Sequence, residues 1–192
     1  MKDFQEKIMP GITHWQSPNF FAYFPTGASL ESLFGDILSG GLSVQGMIWE
    51  TSPACTELET LVIDWYAKMM NLPEEFLSTN GKGGGVIQGT ASEGILVAMV
   101  AARDRKLREL NAINDLNVIS KLKAYCSDQT HSCCVKACKI AGILHYRTVS
   151  TEFTKCRLTL ENFQSAVEED LANGFIPFFC AVCFFFFFSY HS

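Results

Sequence analysis

From Gly81 onward the sequence reads as strand, turn and helix in alternation, and no other feature constrains the fold as much. Leu122–Cys126 predicts a strand, about Thr130–Ala141 a helix, and Ile143–Val149 a strand. Leu160, Phe163, Val167 and Leu171 mark a further helix, and Phe175–Cys183 a last strand. Upstream, Gly83-Gly84-Gly85 leads through Val86-Ile87-Gln88-Gly89, in the strand position of the pattern, into a helix from about Ala91 to Leu110. Strands separated by helices of this length require crossovers of one hand, so the fold class is α/β with a mainly parallel sheet covered by helices.

The residues before this region differ. Residues 8–28 hold many aromatics, Pro and Gly without a long periodic segment and read as an irregular arm. A short helix is expected over Ser29–Ser39, ended by Gly40-Gly41. Ser52 suits an N-cap and Pro53 a first helical position. Leu58, Leu61, Val62, Trp65 and Met69 then form one apolar stripe of a helix that should stop before Pro73. The expected organisation is an arm with a short helix over 1–50, an α/β segment over 51–183, and a phenylalanine-rich tail over 184–192.

With 192 residues, 48% hydrophobic and 18% charged, the chain has the length of one ordinary domain and is too apolar to be disordered. A net charge of −5 argues against a nucleic-acid surface. The 16 phenylalanines include the run Phe184–Phe188. The apolar stretch Phe178–Phe188 is shorter than the roughly 20 residues that span a bilayer, so no membrane partner is expected. Met1–Lys7 has no signal-peptide core, and eight cysteines then suggest reduced thiols in the cytoplasm.

Two loops are placed to carry chemistry, since ligands of open α/β sheets bind beyond the carboxyl ends of the strands. The first is Gly89-Thr90-Ala91-Ser92-Glu93, where free N–H groups, the helix dipole and two hydroxyls favour an anion. Thr90-x-x-Glu93 is equally a capping box. The glycines match neither a Walker loop nor the dinucleotide fingerprint. The second loop, Ser127-Asp128-Gln129-Thr130-His131-Ser132, offers a histidine as acid, base or stacking partner, or as an ordinary capping residue. His131, Cys134 and Cys138 share a helix face and suit zinc by type, but no fourth ligand is evident and such thiols are ordinarily small buried hydrophobes, so no metal is assigned. Nothing places a thiol beside a base for nucleophilic catalysis. Arg103, Arg105, Lys106 and Arg108 read as a solvated helix end.

These residues carry a resemblance. Met9–Trp15, Ser17-Pro18, Ala22–Thr26, Ser52–Glu59, Asp64-Trp65, Lys68-Met69, Gly83–Glu93, Ser127–Gln129 with His131-Ser132, and Ala166 through Phe179 closely resemble the aromatic-L-amino-acid decarboxylase family. The resemblance covers residues 8–182 and implies a partial large domain of the aspartate-aminotransferase type. It further implies pyridoxal 5'-phosphate as cofactor, an amino-acid substrate and a homodimer. By resemblance, Thr90, Ala91 and Ser92 hold the cofactor phosphate. His131 stacks on the pyridine ring and takes part in the chemistry, and Thr26 lies in the substrate pocket. The cofactor is the electron sink for the electrons left when CO₂ departs.

Departures bear on the reading. Gln45 and Met47 stand where family members commonly carry Ile and Phe near a pocket edge. Keeping His131 favours amine-forming decarboxylation over the insect aldehyde-synthase branch, where Asn commonly replaces it. Past Ile176-Pro177-Phe178-Phe179 the family continues into Thr-Leu-Gly-Thr-Thr, the aspartate that pairs with the pyridine nitrogen, and the lysine that tethers the cofactor. This sequence reads Val182-Cys183 and five phenylalanines instead, and Lys136 and Lys139, on or beside the helix after His131, do not substitute. The expectation is an inactive N-terminal fragment of the enzyme, its tail the translation of a thymine-rich intron tract. The alternative is a non-catalytic dimerising or regulatory remnant.

Overall fold

Strand β1 (Leu122–Ser127) is buried along nearly its whole length, as the central strand of a covered parallel sheet must be. In this computed structural model, which describes residues 1–23, 26–152 and 157–182, β1 pairs in parallel with β2 (His145–Val149) on one side and β3 (Ile176–Ala181) on the other. The short helix α4 (Leu116–Ile119) precedes β1, helix α5 (Cys133–Ile140) connects β1 to β2, and α6 (Leu160–Ala172) connects β2 to β3. The two crossovers run in opposite directions past β1, so a common hand sends their helices to opposite faces.

The side chains follow that division. Leu122, Ala124 and Cys126 pack with Cys134, Ala137, Cys138 and Ile143, joined by Met99 and Leu107 of α3 (Ala91–Glu109). Tyr125 turns to the other face, with Val149 and Ala166, and meets Phe163 edge-on at 5.7 Å. On the same face Asp170, 3% exposed, receives Lys123 at 2.7 Å and Arg147 at 3.2 Å.

Element ends differ from the sequence expectation for local reasons. Helix α5 begins at Cys133 rather than Thr130, because Thr130 closes a turn on Ser127: its N–H donates to the Ser127 carbonyl and its Oγ1 accepts from the Ser127 N–H, both at 3.1 Å. Strand β2 begins at His145 rather than Ile143. Gly142, at φ +71°, ends α5 in a left-handed turn, with Ile143 N–H on the Cys138 carbonyl and Gly142 N–H on that of Lys139. Val86–Gln88 lies outside the sheet, although the pattern predicts a strand there. The expected tail, 184–192, lies outside the described residues.

The chain divides into two compact units, Met1–Val86 and Ile87–Ser192, the second holding the sheet and helices α3, α5 and α6. In the first, α1 (Leu30–Leu42) starts at a reciprocal capping box between Ser29 and Ser32. It runs through Gly40 and Gly41 instead of ending there, and the chain leaves it at Ser43, in left-handed conformation. Helix α2 (Pro53–Met69) starts after Ser52 as expected, but the Ser52 hydroxyl makes no capping bond. Its buried residues are Asp64 and Ala67. The Asp64 carboxylate accepts from Ser78 N–H at 3.0 Å and Ser78 Oγ at 2.7 Å, which ties the next turn to the helix and holds the carboxyl below its usual range. The expected apolar stripe Leu58, Leu61, Val62, Trp65 and Met69 is present and is exposed. Among the described residues no helix is long and apolar enough to cross a membrane.

Candidate functional site

Helix α3 begins at Thr90, whose Oγ1 accepts from Glu93 N–H at 3.1 Å, while Gly94 N–H takes the Thr90 carbonyl at 3.0 Å. That is half of the capping box expected there. The Glu93 carboxylate instead lies beside Gly89, its Oε2 2.6 Å from where a Cβ on Gly89 would sit. The amides of Ala91 and Ser92 have no acceptor within the helix, being first-turn donors. Thr90, Ala91 and Ser92 are all exposed. Two amides, the positive end of the dipole and two hydroxyls therefore gather at one exposed point, a donor set suited to an anion.

The second loop leaves the carboxyl end of β1. Asp128 N–H donates to the Val149 carbonyl at 3.1 Å. The Asp128 carboxylate accepts from Thr151 twice, from N–H at 3.1 Å and from Oγ1 at 2.8 Å. The Thr151 hydroxyl and amide together hold this carboxyl below its ordinary range. Ser127 and Thr130 share a hydroxyl contact at 3.0 Å. Beyond this braced turn sits His131, exposed, with Nδ1 accepting from Cys133 N–H at 3.1 Å. Nδ1 being an acceptor, the neutral ring carries its proton on Nε2.

Helices α3 and α5 are joined to each other. α3 packs on α5 through the shared core, and Arg103, in the later half of α3, donates from Nη1 to the Ala141 carbonyl that follows α5, at 2.7 Å. Arg103 is thus a half-buried link between helices, not a solvated cation, whereas Arg105 and Lys106 pair with Glu109 at the surface as a helix end should.

Thr26 lies in the other unit. Its carbonyl and its Oγ1 both accept from Gln16 Nε2 at 2.8 Å, which fixes an exposed side chain in the arm. His131, Cys134 and Cys138 do not form a common site: both thiols are 1% exposed in the core while the imidazole is at the surface. A hydrogen bond to Cys134 and burial push the Cys126 thiol up, as befits a protonated core residue. Sequence reasoning missed Thr151 and Arg103 as parts of the scaffold. Thr151 is distant in sequence from the loop it braces, and only the pairing of β1 with β2 brings it to Asp128.

Comparison with known proteins matches residues 1–185 to the pyridoxal-dependent decarboxylase conserved domain. Phenylacetaldehyde synthase of Arabidopsis thaliana is 52% identical over 185 residues, 94% of this chain and 37% of that protein. Tryptophan decarboxylase 2 of Oryza sativa subsp. japonica is 51% identical over 93% of this chain and 36% of its own length. The crystal structure of Oryza sativa TDC with PLP and tryptamine superposes with a TM-score of 0.86 at 40% identity, over 94% of this chain and 37% of that one. The chain spans little more than a third of the length of the relatives it matches.

Proposed function

The chain belongs to the pyridoxal-dependent decarboxylase family, and from that premise we propose that it is the cofactor-cradling part of an amine-forming aromatic L-amino-acid decarboxylase. The observation that carries this reading is the exposed start of α3, where the Ala91 and Ser92 amides gather with the Thr90 and Ser92 hydroxyls. A phosphate dianion is all acceptor. The Ala91 and Ser92 amides, the Ser92 hydroxyl and the Thr90 O–H are all donors, so the residues present fit pyridoxal 5'-phosphate.

When bound, the cofactor supplies an electron sink for the electrons released as the carboxylate leaves. The chain's own residues do the rest of what falls to this region. Thr90, Ala91 and Ser92 fix the phosphate. His131 offers its imidazole plane to the pyridine ring and holds a proton on Nε2, because Nδ1 is committed to Cys133. Thr26, steadied by Gln16, contributes to the amino-acid pocket. The exposed apolar faces of α1 and α2 are the surfaces a second copy would cover in a homodimer, and the protein is cytoplasmic. By the resemblance, Lys136 and Lys139, both exposed on α5, do not stand in for the lysine that tethers the cofactor, and the 192-residue polypeptide by itself is read as inactive.

The test is a chimera in which residues 1–182 replace the matching region of the rice tryptophan decarboxylase. It should release CO₂ and amine from an aromatic L-amino acid, and lose most of that activity on Ser92→Ala or His131→Ala. Aldehyde in place of amine would move the reading to the chemistry named for the Arabidopsis relative. A folded chimera that binds cofactor yet releases nothing would favour a non-catalytic remnant.

A further inference from the structure

We propose that Asp128 is a positioning residue for His131. Its carboxylate clamps the β1–α5 loop to Thr151, and that clamp keeps the His131 proton on Nε2. The inference rests on the reading of His131 given above.

The geometry is a chain of three fixed points. Asp128 N–H on the Val149 carbonyl, at 3.1 Å, extends the β1–β2 ladder one step past the end of β1. The two carboxylate oxygens then divide Thr151 between them, Oδ1 taking the hydroxyl and Oδ2 the amide. A charged acceptor on two donors of one residue is a stronger and more directional tie than neutral groups would give. The turn from Ser127 to Thr130 is closed by its own hydroxyls, which leaves the loop no slack before His131. His131 is exposed, so packing does not orient its ring. What orients it is the Cys133 N–H on Nδ1, a bond that depends on where the loop delivers the residue.

A stabilising turn alone would also use these bonds, so the test reads the imidazole itself. In the 192-residue chain carrying ¹⁵N-histidine, with His131 assigned by His131→Asn, the two ring nitrogens should give well-separated resonances, Nδ1 unprotonated and Nε2 protonated. Asp128→Ala should collapse that separation toward an averaged pair, and Asp128→Glu should restore it in part. Thr151→Val, which keeps the amide and removes the hydroxyl, should produce a smaller collapse, and it decides the matter if Asp128→Ala does not fold. An unchanged His131 pattern in folded Asp128→Ala, or in Thr151→Val where the alanine variant is unfolded, overturns the proposal. The readout needs no cofactor and no turnover. An inactive chimera with an intact His131 pattern would therefore remove the catalytic reading and leave the clamp standing.

Discussion

Helix α2 and the β1–α5 pair both carry apolar residues at regular spacing, and they treat them in opposite ways. Around β1 the spacing produces a core: Met99 and Leu122 are 0% exposed, and Cys134 and Cys138 1%. On α2 the buried positions are Asp64 and Ala67, while Leu61 is 52% and Trp65 62% exposed. Periodicity tells which face of a helix is apolar but not what covers it. The C-terminal unit supplies its own cover, because two crossovers wrap one strand. The N-terminal unit is held by polar ties such as Asp64 to Ser78, and its apolar face remains available to a partner.

That contrast can be broken by mutation. The largest effect is expected at Asp170. Burial pushes its carboxyl up, and Lys123 and Arg147 more than offset that, leaving it below its ordinary 3.8. Asp170→Ala strands the half-buried Lys123 and Arg147 and should lower the stability of the C-terminal unit by about 4 kcal/mol, read from urea unfolding. A depressed carboxylate stabilises the fold above its unfolded pKa and loses that contribution as pH falls through the folded one. The unit should therefore weaken in acid below about pH 4, and the Asp170→Ala variant should lose less over the same window.

Met99→Ala should cost about 3 kcal/mol in amide exchange of β1, as a cavity in a closed core does. All three tryptophans, Trp15, Trp49 and Trp65, lie in the N-terminal unit, so their fluorescence should not report that loss if the units are energetically separate. Ser29→Ala removes the capping box of α1 and should cost about 1 kcal/mol, visible as fraying of Leu30–Phe34 by exchange. Smallest is Leu61→Ala, within about 0.5 kcal/mol for an isolated chain. A loss as large as that at Met99 would mean the α2 face is already covered, and the contrast would fail.

The sheet was legible because β3 is an apolar run and β1 sets Leu122, Ala124, Tyr125 and Cys126 between turn-rich segments, and helix α3 begins at a cap that the sequence displays, Thr90. What was not legible followed from tertiary choices. Leu160 and Leu171 look like core residues of α6 but are exposed, and the helix buries Ala166 and Asp170 instead, since Lys123 and Arg147 offer Asp170 a charged socket. Of the candidate site, the donor loop and His131 stood out as loop residues after a glycine-rich entry and a strand end. Their bracing by Thr151 and Arg103 did not, because each brace joins residues far apart in sequence.

If the start of α3 is an anion seat, the start of α1 is its internal control. Both helices leave the amides of their first two residues without a helical acceptor, but α1 carries the Glu31 carboxylate where α3 carries the Ser92 hydroxyl, and a carboxylate repels an anion. The direct measurement is a titration of the ¹⁵N-labelled chain with inorganic phosphate and then with pyridoxal 5'-phosphate, following backbone amides. Ala91 and Ser92 should shift saturably, more tightly with the pyridoxal compound, while Leu30 and Glu31 stay in place. Amides at Ala91 and Ser92 that do not move, or that move no more than those of α1, would contradict it.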